Sequence, residues 1–302
     1  MPSMHIDSAM GEKISRVVGG IQSLPTPPIV FTQIQKILNN PDTSAYDVAT
    51  ILQEDAGMSA KVLKLTNSAY YGLSRTIESI KQAVVIVGLE AVKNLVLSAS
   101  VFDMFAAKGV DREAQDYFWR HSLAAAFGAR LLARQLDSKI SFHPEAGFSA
   151  GLLHDIGKMV ISVYMADERR KIMQAKAQKP TVPDYAVEGE VLGYNHSQVG
   201  AFLADHWQLP SKLVEAIEFH HFPQAAPSTE NSLPYLIHLA NYLAKLTFDV
   251  DTGDGNHYLE PLQKEALATV GIAEQDIMAC VNPLREEYLK AETFIAMARG
   301  LG

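Results

Sequence analysis

Histidine is the residue type that bears most on the chemistry of this chain. There are 10 histidines in 302 residues, and eight of them (His121, His143, His154, His196, His206, His220, His221 and His238) lie between 121 and 238. Cys280 is the one cysteine. A single thiol builds neither an internal disulfide nor a cysteine metal cluster, so a metal site here draws on imidazole and carboxylate. The tightest constellation is His154-Asp155 followed by Gly157-Lys158, within GLLHDIGK (151–158). At helical spacing Gly151, His154, Asp155, Lys158 and Ser162 share a face, and the glycine admits a close neighbour. Three further segments set a polar group on an apolar stripe. His121 leads Ala125, Gly128, Leu132 and Leu136. His221 follows Leu213 and Ile217. Asn241 sits among Leu233, Ile237, Ala240, Ala244 and Phe248. A buried imidazole must satisfy two ring nitrogens, and a buried aspartate needs donors or a cation. Several such groups converging in one helical lobe are cheaper to bury around a shared Fe, Mn, Ni or Zn ion. Each histidine alone also reads as a core imidazole bonded to a carbonyl. Lys158 reads either as a substrate-phosphate contact or as the salt-bridge partner of Asp155.

The elements that must position these groups are helices. Long β-branched alternations are missing, and apolar residues recur at i, i+3 and i+4. The strand-like run AVVIVGL (83–89) is read as helix–turn–helix with Gly88 at the turn. Residues 1–13 are read as a loose leader, and Pro25, Pro27 and Pro28 as a rigid entry to a helix over 29–39. Asp42, Thr43 and Ser44 offer caps for the next helix, over 44–54. Helices are then expected over 57–68, 76–86 and 90–105, with a lobe boundary at 107–111. A second lobe follows with helices over 112–136, 144–165, 167–178, 184–192, 196–207, 210–221 and 232–247. Helices over 260–270 and 274–299 close the chain. The apolar set Tyr288, Ala291, Ile295 and Ala298 is expected to pack on the body or on a second copy, which makes a homodimer one expectation. In the polar loop 249–256, Asp249 and Asp251, with Glu260 beyond it, match positions 1, 3 and 12 of a calcium loop. Gly253 and Asp254 fail its central requirements, so the loop is read as a solvated turn.

Composition excludes several classes. The chain is 48% apolar and 20% charged, as globular domains are. Its net charge of −8 argues against a broad nucleic-acid surface. No apolar run approaches the roughly 18 residues of a membrane span. The opening MPSMHIDSAMGEK lacks a signal-peptide pattern, and with the lone cysteine this points to the cytoplasm. No phosphate-cradling GxxxxGKS loop and no Gly-x-Ser-x-Gly elbow proposes a rival chemistry. Arg120, His206, His143, His5 and His257 are read as structural or solvated. Tyr70 and Tyr71 are read as packing residues, and Cys280 as a small apolar residue.

The motif GLLHDIGK (151–158) resembles the signature of the HD superfamily of metal-dependent phosphohydrolases. Downstream, NHSQVGAFLADHWQLPSKLVEAIEFHH (195–221) resembles the HDOD family, the HD-related output domain. LPTPPIVFTQIQKIL (24–38), DVATILQEDAGMSAKVLKLTNSAYYG (47–72) and SIKQAVVIVGLEAVKNLVLSAS (79–100) are similar to that family's N-terminal region. The resemblance implies an all-α, two-lobed fold. A leader spans 1–13, an N-terminal lobe 14–108, an HD-like lobe 109–250 and a C-terminal loop with helices 251–302. It also implies metal ligands at His121, His154 and Asp155. The HD-GYP relatives, which hydrolyse cyclic dinucleotides, add histidines that His196, His220 and His221 resemble. The expected late aspartate is Asn241, in IHLANYLAKL (237–246), a glutamate found in some relatives is Tyr117, and the Gly-Tyr-Pro motif is missing from HHFPQAAPS (220–228).

The resemblance therefore implies a regulatory output module in signalling with a degenerate HD site for one or two divalent ions. Its partner would be a signalling protein or a nucleotide-like ligand. The alternative it implies is an active phosphohydrolase on a nucleotide or cyclic dinucleotide, with Asp155 and Lys158 in the catalytic roles.

Overall fold

The computed structural model describes residues 8–18, 26–38, 42–105, 112–136, 143–228, 230–248 and 262–298. Among them there is no strand, and no helix is long and apolar enough to cross a membrane. In chain order the helices are α1 (Ser8–Val18), α2 (Ile29–Leu38), α3 (Ala45–Gln53), α4 (Ala56–Thr66), α5 (Ile80–Val87) and α6 (Leu89–Phe105). Next come α7 (Arg112–Gln135), α8 (Pro144–Leu153), α9 (Ile156–Tyr164), α10 (Ala166–Gln178), α11 (Asp184–Leu192) and α12 (His196–His206). The chain continues with α13 (Ser211–Phe219), α14 (Leu233–Phe248), α15 (Lys264–Val270), α16 (Glu274–Ala279), α17 (Val281–Leu289) and α18 (Glu292–Ala298). The chain divides into two compact units, Met1–Leu24 with His121–Arg285 and Pro25–Arg120 with Glu286–Gly302. The boundary expected at 107–111 and the calcium-like segment 249–260 lie outside the described residues.

The unit formed by Pro25–Arg120 and Glu286–Gly302 is built from locally encoded ends. Ser44 Oγ accepts the Asp47 N–H while Asp47 accepts the Ser44 N–H at 2.8 Å, a reciprocal cap worth about 1 kcal/mol. Asp55 caps α4 through the Met58 N–H at 2.9 Å. Gly88 closes α5 at φ +91°, a backbone conformation that L side chains rarely adopt. After that turn, α6 is buried on nearly every side, from Ala91 to Phe105. It packs against α2, α4, α5 and α18. Phe102 meets Trp119 edge-on at 4.9 Å, and Tyr70 meets Phe294 edge-on at 5.8 Å.

The unit formed by Met1–Leu24 and His121–Arg285 carries the histidines. Here α14 packs on α8, α13 and α15, and α12 packs on α9 and α13. Gly151 sets the distance between α8 and the His121 helix, since a Cβ there would lie 2.7 Å from the Ala125 carbonyl oxygen. The Arg130 guanidinium is buried between Phe127 and Phe148 and pairs with the buried Glu145 at 3.3 Å.

Three local expectations are corrected. Ser8–Val18 is helical and Lys13 donates to the Leu192 carbonyl at 2.6 Å, so part of the segment read as a loose leader is ordered. The helix expected over 274–299 is α16, α17 and α18. Breaks shift the phase of its apolar stripe, so Tyr288, Ala291, Phe294 and Met297 are the buried positions, and α18 packs on α4 and α6. The helix expected over 144–165 is interrupted at the His-Asp pair. Asp155 takes φ −100° and ψ 7°, outside the helix, and α9 restarts at Ile156.

Candidate metal centre

That interruption brings the two neighbouring side chains onto one centre. In a continuous helix His154 and Asp155 would point about 100° apart. With α8 ending at Leu153 and α9 beginning at Ile156, His154 Nε2 lies 3.5 Å from Asp155 Oδ2. Gly157 makes the restart possible. A Cβ there would sit 1.9 Å from the His196 carbonyl oxygen and 2.7 Å from the Gly200 nitrogen. The start of α9 therefore lies directly against the start of α12, which delivers His196. α13 ends at Phe219, and His220 and His221 follow at its C-terminus.

The described ligand atoms form two groups that share Asp155: Asp155 with His196, His220 and His221, and Asp155 with His121 and His154. One carboxylate oxygen serves each group. Oδ1 lies 3.0 Å from His196 Nε2 and 3.7 Å from His220 Nε2. Oδ2 lies 3.7 Å from His121 Nε2, 3.5 Å from His154 Nε2 and 2.7 Å from Lys158 Nζ. All six ligand residues are buried.

The outward ring nitrogens are tied down. His154 Nδ1 donates to the Gly151 carbonyl at 2.8 Å, and His220 Nδ1 to the Ile217 carbonyl at 2.8 Å. His196 Nδ1 and its backbone N–H both donate to Glu188 Oε2 at 2.7 Å. His238 Nδ1 donates to the His220 carbonyl at 3.0 Å. Outer bonds of this kind orient the ring and turn Nε2 inward, where it is a lone-pair donor whenever the imidazole is neutral. Tyr185 lies over His221 with ring centroids 4.3 Å apart.

These residues fit a divalent ion. Two ligand atoms each about 2.0–2.1 Å from one ion, at tetrahedral or octahedral angles, are about 2.8–3.4 Å apart. His121 and His154 hold their Nε2 atoms 3.3 Å apart, and His196 and His221 hold theirs 3.0 Å apart. His220 Nε2 and Asn241 Oδ1 are buried acceptors with no hydrogen-bond partner among the described residues. An orphaned acceptor of this kind costs about 1–3 kcal/mol unless something positive faces it. Asn241 lies buried on α14, one turn after His238.

The charges follow from burial and neighbours. Burial holds His121, His154, His220 and His221 below the usual imidazole range, so their nitrogens stay available as ligands. Burial alone would raise Asp155, but His154, Lys158 and His196 hold its carboxyl well below the usual range. For His196, burial opposes the charge, but Glu188 and Asp155 outweigh it and lift the ring to about 9. Burial also opposes the Lys158 charge, yet Asp155 and Asp184 keep its ammonium firmly protonated.

Sequence reasoning missed Glu188, Asp184 and Tyr185, all on α11. The available signal was a pair of carboxylates four residues apart in DYAVEGE (184–190), the second of them eight residues before His196. Lys158 pairs with Asp155, as one of its two expected readings had it. His143 caps α8 through the Glu145 N–H.

The HDOD domain family matches residues 24–223. An HDOD domain protein of unknown function from Geobacter sulfurreducens shares the fold at TM-score 0.78, with 24% identity over 94% of this chain and 97% of its own. A Shewanella amazonensis SB2B protein provisionally classed as a phosphohydrolase superposes at TM-score 0.70, with 25% identity over 95% and 98% of the two chains. An uncharacterized protein of Treponema pallidum (strain Nichols) is 23% identical over 96% of this chain, which spans 55% of that relative's length.

Proposed function

Because this chain belongs to the HDOD family, we propose that it is a regulatory output module. In this reading its His/Asp centre holds a divalent metal and acts through ligand or protein contact rather than through turnover. The observation that carries the proposal is the convergence of inward Nε2 atoms on both oxygens of one carboxylate, with the outer nitrogens of His154, His196 and His220 already bonded. His121, His154 and Asp155 would hold one ion, and Asp155, His196, His220 and His221 a second. Imidazole favours Fe, Mn, Ni or Zn over Mg. When bound, such an ion polarises an oxygen ligand and acidifies water. The protein supplies one carboxylate among these ligands, and Asn241 in place of an aspartate adds an oxygen without charge. Two divalent ions would then keep about three uncompensated charges, which favours capture of an anion over release of a hydrolysed product.

The second reading is an active phosphohydrolase. It is supported by Lys158, which touches Asp155 at 2.7 Å and lines an adjacent cleft. One preparation tests both readings: metal stoichiometry by element-specific spectrometry, then hydrolysis of cyclic dinucleotides and generic phosphodiesters with Fe or Mn supplied. One or two ions per chain with little or no turnover is expected. Chain that takes up no metal on titration overturns the proposal, and robust turnover lost in His154→Ala establishes the second reading.

Glu188→Gln is expected to lower metal affinity about 10–100-fold, the usual effect of losing the outer partner of a metal-bound imidazole. The amide keeps the shape but presents no anion to His196. Competition with a metal-binding dye measures it, and unchanged affinity would show that Glu188 does not orient His196.

A further inference from the structure

α9, α10 and α11 enclose a cleft of about 670 Å³, within the roughly 300–1,000 Å³ of small-molecule sites. Three cations line it: Lys158, Arg169 and Lys176. Two are matched, Lys158 to Asp155 at 2.7 Å and Lys176 to Asp184 at 2.9 Å. Arg169 is half-buried and makes no side-chain hydrogen bond or ion pair among the described residues, whereas its neighbour Arg170 pairs with Asp167 at 3.1 Å. Ile161, Ile172 and Met173 give the same cleft an apolar wall. A planar, permanently charged fork beside apolar surface suits an organic anion, its phosphate on the guanidinium and its body on the wall.

Two lining residues also belong to the surroundings of the His/Asp centre. Lys158 holds Asp155 Oδ2, and Glu188 accepts both N–H groups of His196. We propose that this cleft is a regulatory site for a nucleotide-sized organic phosphate, bound at Arg169 with Lys158 and Lys176, and that its occupancy alters metal retention through Lys158 and Glu188. The coupling rests on the metal-binding reading above; ligand binding at Arg169 does not. An anion that draws Lys158 from Asp155 returns that carboxylate oxygen to the centre, so ligand and metal strengthen each other. Linkage requires the factor to be the same in both directions, and couplings of this kind are typically about 5–150-fold.

Calorimetric titration of the full chain tests this, using GMP, ribose 5-phosphate and guanosine, on metal-stripped and Mn-loaded protein. GMP or ribose 5-phosphate should bind at least tenfold more tightly than guanosine, and the comparison between the two esters identifies the preferred body. Arg169→Ala should weaken the bound ester at least tenfold at unchanged metal content, and Arg169→Lys should restore only part of it. Failure of both esters to bind, or equal binding by wild type and Arg169→Ala, overturns the site. Ester affinity that is identical with and without Mn overturns the coupling. A chain that binds no Mn but still binds ester through Arg169 retires the metal reading and the coupling, and leaves the cleft assignment standing.

Discussion

Asp155→Ala is expected to abolish retention of divalent metal while the chain stays folded. Asp155 is the one residue common to both groups of ligand atoms, with Oδ1 toward His196 and Oδ2 toward His154 and Lys158. Without it both positions lose their shared carboxylate and keep only imidazoles, which bring no negative charge. Removing an outer partner typically costs about 10–100-fold in metal affinity, so losing the carboxylate itself should exceed about 100-fold. The stability cost is expected to be modest, about 1–3 kcal/mol, because the Lys158 side chain is 30% exposed and can turn to water. Asp155→Asn separates charge from shape and should also lose most of the metal. The checks are element-specific spectrometry after metal loading and thermal melting with and without Mn. Wild-type metal stoichiometry in Asp155→Ala would remove the carboxylate from the centre.

Gly157→Ala is expected to cost more than about 4 kcal/mol of stability and to displace His196. In an exposed helix the same change gains about 0.5–1 kcal/mol. Here the new Cβ would lie 1.9 Å from the His196 carbonyl oxygen, and it would also meet the Gly200 nitrogen at 2.7 Å and the His196 carbonyl carbon at 2.8 Å. All three are backbone atoms, so no side chain can turn aside, and α9 and α12 must separate. Gly189→Ala, where an added Cβ on α11 meets nothing within 4 Å, is the control and should be neutral or slightly stabilising. Denaturant unfolding of both variants decides the matter. Equal midpoints for Gly157→Ala and wild type would show that the helices part without cost.

Much of the local architecture was legible because helix ends are written in short spacings. Ser44 and Gly88 mark their helix ends wherever the helices finally pack. The continuous helices read over 144–165 and 274–299 were wrong for one reason. An interruption of one or two residues, as at His154-Asp155 or at Cys280, leaves little trace in apolar composition.

The sequence by itself determined that the chain is helical, that its one thiol excludes a cysteine cluster, and that imidazoles with Asp155 are the available ligands. His121, His221 and Asn241 could be assigned to apolar faces, because helical spacing dictates which residues share a face. Only the tertiary structure decided which faces meet. It set one oxygen of Asp155 against His196 and the other against His154, and it delivered Glu188 from α11 to both N–H groups of His196. It also left Arg169 without an ionic partner among the described residues, over a cleft that reaches Lys158 and Glu188. These pairings join residues on separate helices. Their geometry depends on close backbone approaches at Gly151 and Gly157, which packing of the whole lobe imposes and which no local spacing encodes.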